Sequence, residues 1–369
     1  MQLPYSEELD VGQLSRLFGN TSECYKFFWF KAILTKIREG RCEFSFEELV
    51  NEMIAEAWYM VTEYHLNLGP RDNLELLVLH LHHTTGIKPS EKKSVILSCL
   101  ENCSDKFVVR LKKVLTENVP YRLLAPFLPD LKSCDFDCSV YERINKINQH
   151  QRLMYYFREY NGIYTQIGMD SDWIEYIKKN QEIIYGWLQY HMIIYLQKRN
   201  PSVPGIADKL FPPVERKLEK VKRYWKAIID VEPVYDIYGN YRLTDKDISI
   251  DHFVPWSYVA HDELWNLHPT TKSINSQKSN HLPNWEKYFS EFCKQEYKAY
   301  ELIWRWDKVH EAFERCAKEH INSNDVRIRL YTKGLDFHRF SSQLEEVMLP
   351  VYQSAKNCGF DDWMYKKNE

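Results

Sequence analysis

The spacing of apolar positions follows one pattern through the first two hundred residues. In LSRLFGNTSECYKFFWFKAILTKIREG a polar interruption ends at Thr21-Ser22, side chains suited to capping a helix. Apolar residues then recur every 3.6 positions as far as Ile37, and Gly40 supplies a stop. FSFEELVNEMIAEAWYMVTEYH, DNLELLVLHLHH and KSVILSCLENCSDKFVVRLKKVL carry the same period. With no fixed-period repeat and no low-complexity tract, the pattern predicts a helical domain over residues 1–200. It breaks in the Pro-rich KRNPSVPGIADKLFPPVERK, which predicts a connector and then a basic helix over residues 201–228. In PVYDIYGNYRLTDKDISIDHFVP, β-rich runs flank Gly239-Asn240, a hairpin signature. TTKSINSQKSNHL follows with Thr and Ser caps and a short helix ended by Pro283. The order over residues 229–285 is thus strand, turn, strand, loop, helix. Helical periodicity resumes over 286–369, so the expected fold is mainly α, with helical N- and C-terminal regions around a small ββα unit.

Composition sharpens this picture. Aromatic residues make up 15% of the chain against only 12 Gly and 15 Pro, which favours long helices over turn-rich sheets. With 49 basic and 52 acidic residues the net charge is -3, so any site for a polyanion must be local. One candidate is the run from Lys209 to Lys226, whose seven Lys/Arg and two Glu give a local net of +5. Lys217, Lys220, Arg223 and Lys226 there either contact backbone phosphates or form a solvated face. Nine scattered Cys and an N-terminus, MQLPYSEELD, without a basic or apolar leader point to a reduced, cytoplasmic protein. The most apolar stretch, IIYGWLQYHMIIYLQKR, holds Gln and His and reads as a buried helix rather than a membrane span.

The candidate chemistry lies in SIDHFVPWSYVAHDELWNLHPTTKSINSQKSNHLP, Ser249 to Pro283. An Asp-His pair is followed 14 residues after the His by Asn266, nine residues later by Asn275, and three beyond that by Lys278. Phosphodiester hydrolysis needs a base for the attacking water and a cation for the developing charge. An imidazole near its neutral pKa supplies the first, and carboxylate and carboxamide oxygens suit a hydrated Mg2+ that supplies the second. Asp251 and His252 can serve one phosphate only if the strand ends or bends there, which Pro255 makes plausible. Asn275 and Lys278, at i and i+3, share a helix face.

On IDHFVPWS, LWNLHPT and SINSQKSN, in that order, the segment Val234–Pro283 resembles the HNH (ββα-metal) nuclease family, in an H-N-N variant. The resemblance implies an endonuclease acting on DNA, expected to be double-stranded. His252 takes the place of the general base, Asp251 and Asn275 of the metal ligands, Asn266 of the residue that pins the loop, and Lys278 of a basic phosphate contact. Mg2+, or Mn2+, is the implied ion. Many members staple the unit with a structural zinc on four Cys, but Tyr235, Tyr238, Thr271 and Ile274 stand at those positions. No structural zinc is therefore expected, and packing of Tyr235, Tyr238, Ile274, Trp256 and Trp265 must hold the unit. The architecture resembles bacterial restriction and anti-phage proteins, with other subunits of a defence system as possible partners. A non-catalytic DNA-binding subunit and an RNA-cleaving nuclease are the alternatives.

Rival groups are read as structural. His261, His268 and His281 are expected to be structural or phosphate-contacting, and His80, His82 and His83 to sit at a helix end, where His favours the dipole. Cys99 with Cys103, and Cys134 with Cys138, are expected as small apolar side chains on helix faces rather than as a zinc site.

Overall fold

The computed structural model describes residues 2–19, 21–130, 137–212 and 216–367, and Cys134 and Val214 lie outside them. The chain divides into two compact units, Met1–Pro201 with Lys209–Pro212, and Ser202–Asp208 with Pro213–Glu369. Both are mainly helical.

In the first unit, α1 (Tyr25–Arg38) packs on α2 (Phe46–Thr62), and α2 on α3 (Asn73–Thr85) and α4 (Lys93–Glu101). A capping box between Ser45 and Glu48 starts α2, and Asp72 caps α3 through the amides of Leu74 and Glu75. Trp29, Phe30 and Trp58 lie fully inside, with Trp187 of α5 (Gln181–Arg199). Polar positions on the inner faces are paired: Lys31 meets Glu56 at 2.6 Å, Lys36 meets Glu52 at 2.8 Å, and Lys93 reaches Glu52 at 2.6 Å. The unit also holds an antiparallel sheet of β1 (Glu43–Ser45), β2 (Tyr155–Phe157) and β3 (Gln166–Met169), in the order β1-β3-β2. Strands of three or four residues are too short for alternation to stand out in sequence. What fixes them is long-range pairing, with Ile167 opposite both Phe44 and Phe157. His80, His82 and His83 fall in the last turns of α3: His80 Nε2 lies 2.8 Å from Asp105, and His82 Nδ1 lies 2.8 Å from the Ile87 carbonyl. Cys103 departs from the expected helix face, because α4 ends at Glu101.

In the second unit, α6 (Glu219–Val231) buries Val221, Tyr224, Trp225 and Ile228, an i, i+3, i+4, i+7 stripe that packs on the sheet formed by β4 (Ile248–His252) and β5 (Leu267–Thr271). These two strands and α7 (Lys272–Lys278) are the ββα unit. The expected hairpin around Gly239-Asn240 needs correction. The turn forms, with Asn240 left-handed and the Asp236 carboxylate accepting from the amides of Tyr238 and Gly239, but its arms share one bridge, Tyr235 to Arg242. A polar turn at Thr244–Asp247 ends the pairing, and β4 pairs with β5 across the loop 253–266 instead. Helices α8 (Trp285–Arg305), α9 (Asp307–His320) and α10 (Phe337–Asn357) complete the unit. The C-terminal segment returns to it: β6 (Leu282–Pro283) pairs in parallel with β7 (Asp362–Trp363), and the Trp363 ring meets Tyr238 edge-on at 5.1 Å.

Glu63, just past α2, is buried, and burial pushes its carboxyl up to about 7. A carboxyl whose folded pKa exceeds its unfolded value stabilises most below the unfolded value, and that contribution is lost as pH rises through the folded one. Glu63→Gln is therefore expected to raise the melting temperature at pH 8 by much more than at pH 5, by up to about 3 kcal/mol of stability. Equal shifts in thermal melts at the two pH values would contradict the burial of this carboxyl.

Candidate active site

Register decides which side chains meet. β4 runs antiparallel to β5 with Asp251 opposite His268 and His252 opposite Leu267. Consecutive strand residues face opposite sides, and here Asp251 and His252 go to different partners. The chain turns immediately after them. Phe253 donates its amide to the Asn266 carbonyl, while the Asn266 side chain accepts from Val254 N at 2.8 Å and donates to Val254 O at 2.9 Å. Asn266 is fully buried, so this two-way amide bond clamps the loop that follows the Asp-His pair.

Asp251 is buried and fully engaged. Lys278 Nζ on α7 donates to its Oδ1 at 3.1 Å, and Tyr238 Oη donates to Oδ2 at 2.9 Å. His268 Nε2 lies 3.2 Å from the same Oδ2. Burial alone would raise this carboxyl, but the Lys278 ammonium, with His268 and Tyr238, holds it well below the usual carboxylate range. Lys278 also donates to the His252 carbonyl at 2.7 Å and has no solvent exposure. This corrects the expectation that Lys278 contacts phosphate: its ammonium is spent inside the protein, joining the short helix to the strand. It follows Thr271, which caps α7 through Ile274 N.

His252 is buried, with Nε2 at 2.8 Å from Asp262 Oδ1. Arg216 Nη1 donates to that same oxygen and approaches Nε2 at 3.3 Å, while its guanidinium stacks over Trp256 at 4.3 Å. Burial lowers the imidazole's pKa most, Asp262 opposes the shift and Arg216 adds to it, and the net is below the ordinary value, so the ring is neutral at pH 7. Asp262 itself is anchored by its backbone, whose carbonyl lies 2.7 Å from His320 Nδ1. Asn275 donates Nδ2 to Ser249 Oγ at 2.8 Å and to the Ile250 carbonyl at 3.0 Å, which turns its side chain onto β4.

The structure therefore joins Asp251 to Lys278, His252 to Asp262 and Arg216, and Asn275 to the β4 backbone. No hydrogen bond links Asp251, His252 and Asn275 directly. Asp262 and Arg216 are additions that the sequence pattern did not single out, since each lies in a loop. The one available signal for Asp262 was an acid inside the loop that Asn266 closes. Tyr238, expected as apolar packing, is buried but spends its hydroxyl on Asp251; Tyr235, expected beside it, is half exposed, and Trp256 is the platform for Arg216. Ile274 and Trp265 are buried as packing residues. His281 caps locally, with Nδ1 2.9 Å from the Lys278 carbonyl. Of the basic run, Lys217 and Arg223 are exposed, Lys220 is ion-paired with Glu319, and Lys226 lies 4.0 Å from Asp245.

Among the described residues no group of three or more His, Cys, Asp or Glu side chains is placed to hold a metal. The oxygens that fit a hard divalent ion are Asn275 Oδ1 and what remains of Asp251 Oδ1, an oxygen donor set of the kind Mg2+ accepts with waters filling its shell. Lys278 is the group with which such an ion would share Asp251.

Removing one partner of a buried ion pair leaves the other uncompensated, at a cost of about 3–5 kcal/mol. Lys278→Met is expected to destabilise the protein by about that amount in urea unfolding. Adding Asp251→Asn in the same chain is expected to return much of the loss, and an additive double mutant would show that the two groups do not interact.

The comparisons with known proteins bear on this segment alone. No helix among the described residues is long and apolar enough to cross a membrane. Neither a curated protein nor a solved structure matches the chain. Residues 236–284, which hold the turn at Asp236, both strands and the short helix, match the family model described as HNH endonuclease, and this part of the chain belongs to the HNH family.

Proposed function

We propose that this protein is a metal-dependent endonuclease that hydrolyses DNA phosphodiester bonds, with His252 as general base. The observation that carries the reading is a buried, neutral imidazole at the end of β4, next to a charged carboxylate on the strand against which the helix bearing Asn275 packs, within a segment matching the HNH family. Family members generally use divalent metal ions. Here Asp251 and Asn275 are the residues that would hold Mg2+ or Mn2+, which when bound supplies positive charge to the scissile phosphate and the leaving oxygen.

The chain's own residues do the rest. A neutral His252 accepts a proton from water, and the clamp at Asn266 keeps the turn after β4 from moving that imidazole. Lys278 holds α7 against β4, so that Asn275 stays over Ile250. Lys217 and Arg223, exposed on and just before α6, are placed to meet backbone phosphates, whereas Lys220 must first leave Glu319. We assign the activity to bacterial restriction or anti-phage defence in the cytoplasm, on the strength of a small nuclease segment joined in one chain to a long helical region. In that setting the first unit docks a partner subunit or restrains the nuclease.

A second reading, a DNA-binding unit without catalysis, is favoured by one observation: both oxygens of Asp251 are already bonded within the protein. Supercoiled-plasmid nicking separates the two. Nicking that requires Mg2+, stops with EDTA and falls by about 10²-fold or more in His252→Ala is expected, with DNA binding little changed. Nicking by His252→Ala at the wild-type rate would overturn the base assignment, and cleavage of structured RNA in place of plasmid would move the substrate to RNA.

A further inference from the structure

We propose that Asp262 is the positioning residue of His252: its carboxylate fixes the imidazole in the Nε2–H tautomer and leaves Nδ1 as the atom that takes the proton from water. The inference rests on the reading of His252 as the base, but its central claim, the tautomer, can be tested without it.

Donors and acceptors around the ring decide the tautomer. Two groups face His252 Nε2: Asp262 Oδ1 at 2.8 Å and Arg216 Nη1 at 3.3 Å. A ring nitrogen of neutral imidazole either donates or accepts, so it cannot bond both at once. Arg216 is a donor only and bonds Asp262 Oδ1 directly. Although burial works to raise the Asp262 carboxyl, its bonds with His252 and the charge of Arg216 keep it below its ordinary value, so it is an ionised acceptor. A carboxylate oxygen has room for two donors. The consistent arrangement therefore has Asp262 Oδ1 accepting from Arg216 Nη1 and from His252 Nε2–H, with the longer Arg216 approach to Nε2 imposed by the shared acceptor. The proton then sits on Nε2, and the Nδ1 lone pair is free.

Solvent access agrees with this assignment. The His252 side chain keeps 7% of its surface exposed, and no hydrogen bond from a described residue reaches Nδ1. The Asp262 carboxylate is held by Arg216, and its stretch of loop is fixed by two further contacts: His320 Nδ1 lies 2.7 Å from the Asp262 backbone carbonyl, and the neighbouring Glu263 accepts through Oε1 from Asn322 Nδ2 at 2.7 Å. Such support is what an orienting acceptor requires, because a carboxylate free to rotate would not choose between tautomers.

The proton transfer balances simply. Water gives its proton to Nδ1 as its oxygen bonds to phosphorus and the P–O bond to the leaving oxygen breaks, and the resulting imidazolium is stabilised by Asp262, which stays ionised. The excess proton returns to solvent from Nδ1.

The test uses the full chain with ¹⁵N-labelled His, assigned by the signal lost in His252→Ala. In the wild type the Nε2 resonance is expected in the protonated, pyrrole-like range and Nδ1 in the pyridine-like range. Asp262→Asn is expected to mix or invert the tautomers and to lower kcat for plasmid nicking by about 10-fold to 10⁴-fold with KM nearly constant. Asp262→Glu is expected to recover part of both, and Arg216→Gln to keep the Nε2–H tautomer. A wild-type ring protonated on Nδ1, or an Asp262→Asn chain with unchanged tautomer and kcat, would overturn the proposal. If Asp262→Asn lowers the melting temperature sharply, the Asp262→Glu spectrum decides the matter alone. A wild-type chain that never nicks but shows the Nε2–H tautomer, lost in Asp262→Asn, would support the positioning claim while sinking the nuclease reading.

Discussion

The contact between Lys278 and Asp251 ties the second unit's chemistry to its fold. An ammonium and a carboxylate removed from water are each costly, and the cost is met here because both are saturated: the lysine by Asp251 and the His252 carbonyl, the aspartate by the lysine, Tyr238 and His268. The pair joins the last residue of α7 to β4. It therefore sets the distance between the helix that carries Asn275 and the strand that carries His252.

Around this pair the same device appears twice. Asp251 Oδ2 collects Tyr238 and His268, and Asp262 Oδ1 collects Arg216 and His252. In each case one carboxylate oxygen gathers two donors and thereby orients an imidazole. The outcomes differ with access. His268 Nδ1 is buried without a partner and the ring acts as a cross-strand prop, whereas the His252 side chain keeps 7% of its surface exposed. On the proposed reading of His252 as the base, two histidines in one segment are divided between structure and chemistry by what lies beyond the ring, a distinction no spacing rule contains.

That division explains what the sequence could and could not disclose. The order of Asp251, His252, Asn266 and Asn275 was legible because each is tied to its neighbours by short-range geometry: a strand end, a loop closure, one helix turn. The mainly helical fold was legible for the same reason, through periodicity and caps such as Ser45 and Asp72. Arg216, Asp262 and His320 were not, since they converge from a connector, a loop and a distant helix end, and only tertiary packing brings them together. Lys278 was misplaced because a lysine one turn beyond Asn275 looks solvated, and its burial depends on an aspartate 27 residues earlier. The three-stranded sheet leaves no mark in the sequence because strands of three or four residues are too short for alternation to stand out. The hairpin at Gly239-Asn240 is smaller than its β-rich flanks suggest, since turn residues report the turn and not the length of its arms.

The return of the C-terminal segment carries a consequence for modularity. Trp363 abuts the ring of Tyr238, whose hydroxyl holds Asp251, and β7 supplies the backbone partners of Leu282 and Asn284 just beyond the short helix. A strand some eighty residues downstream of the matched segment is in this way part of the wall behind the acid. The boundary of the sequence signature and that of the smallest self-sufficient catalyst do not coincide, and a nuclease core excised at residue 284 would leave Tyr238 with solvent where its aromatic backing had been.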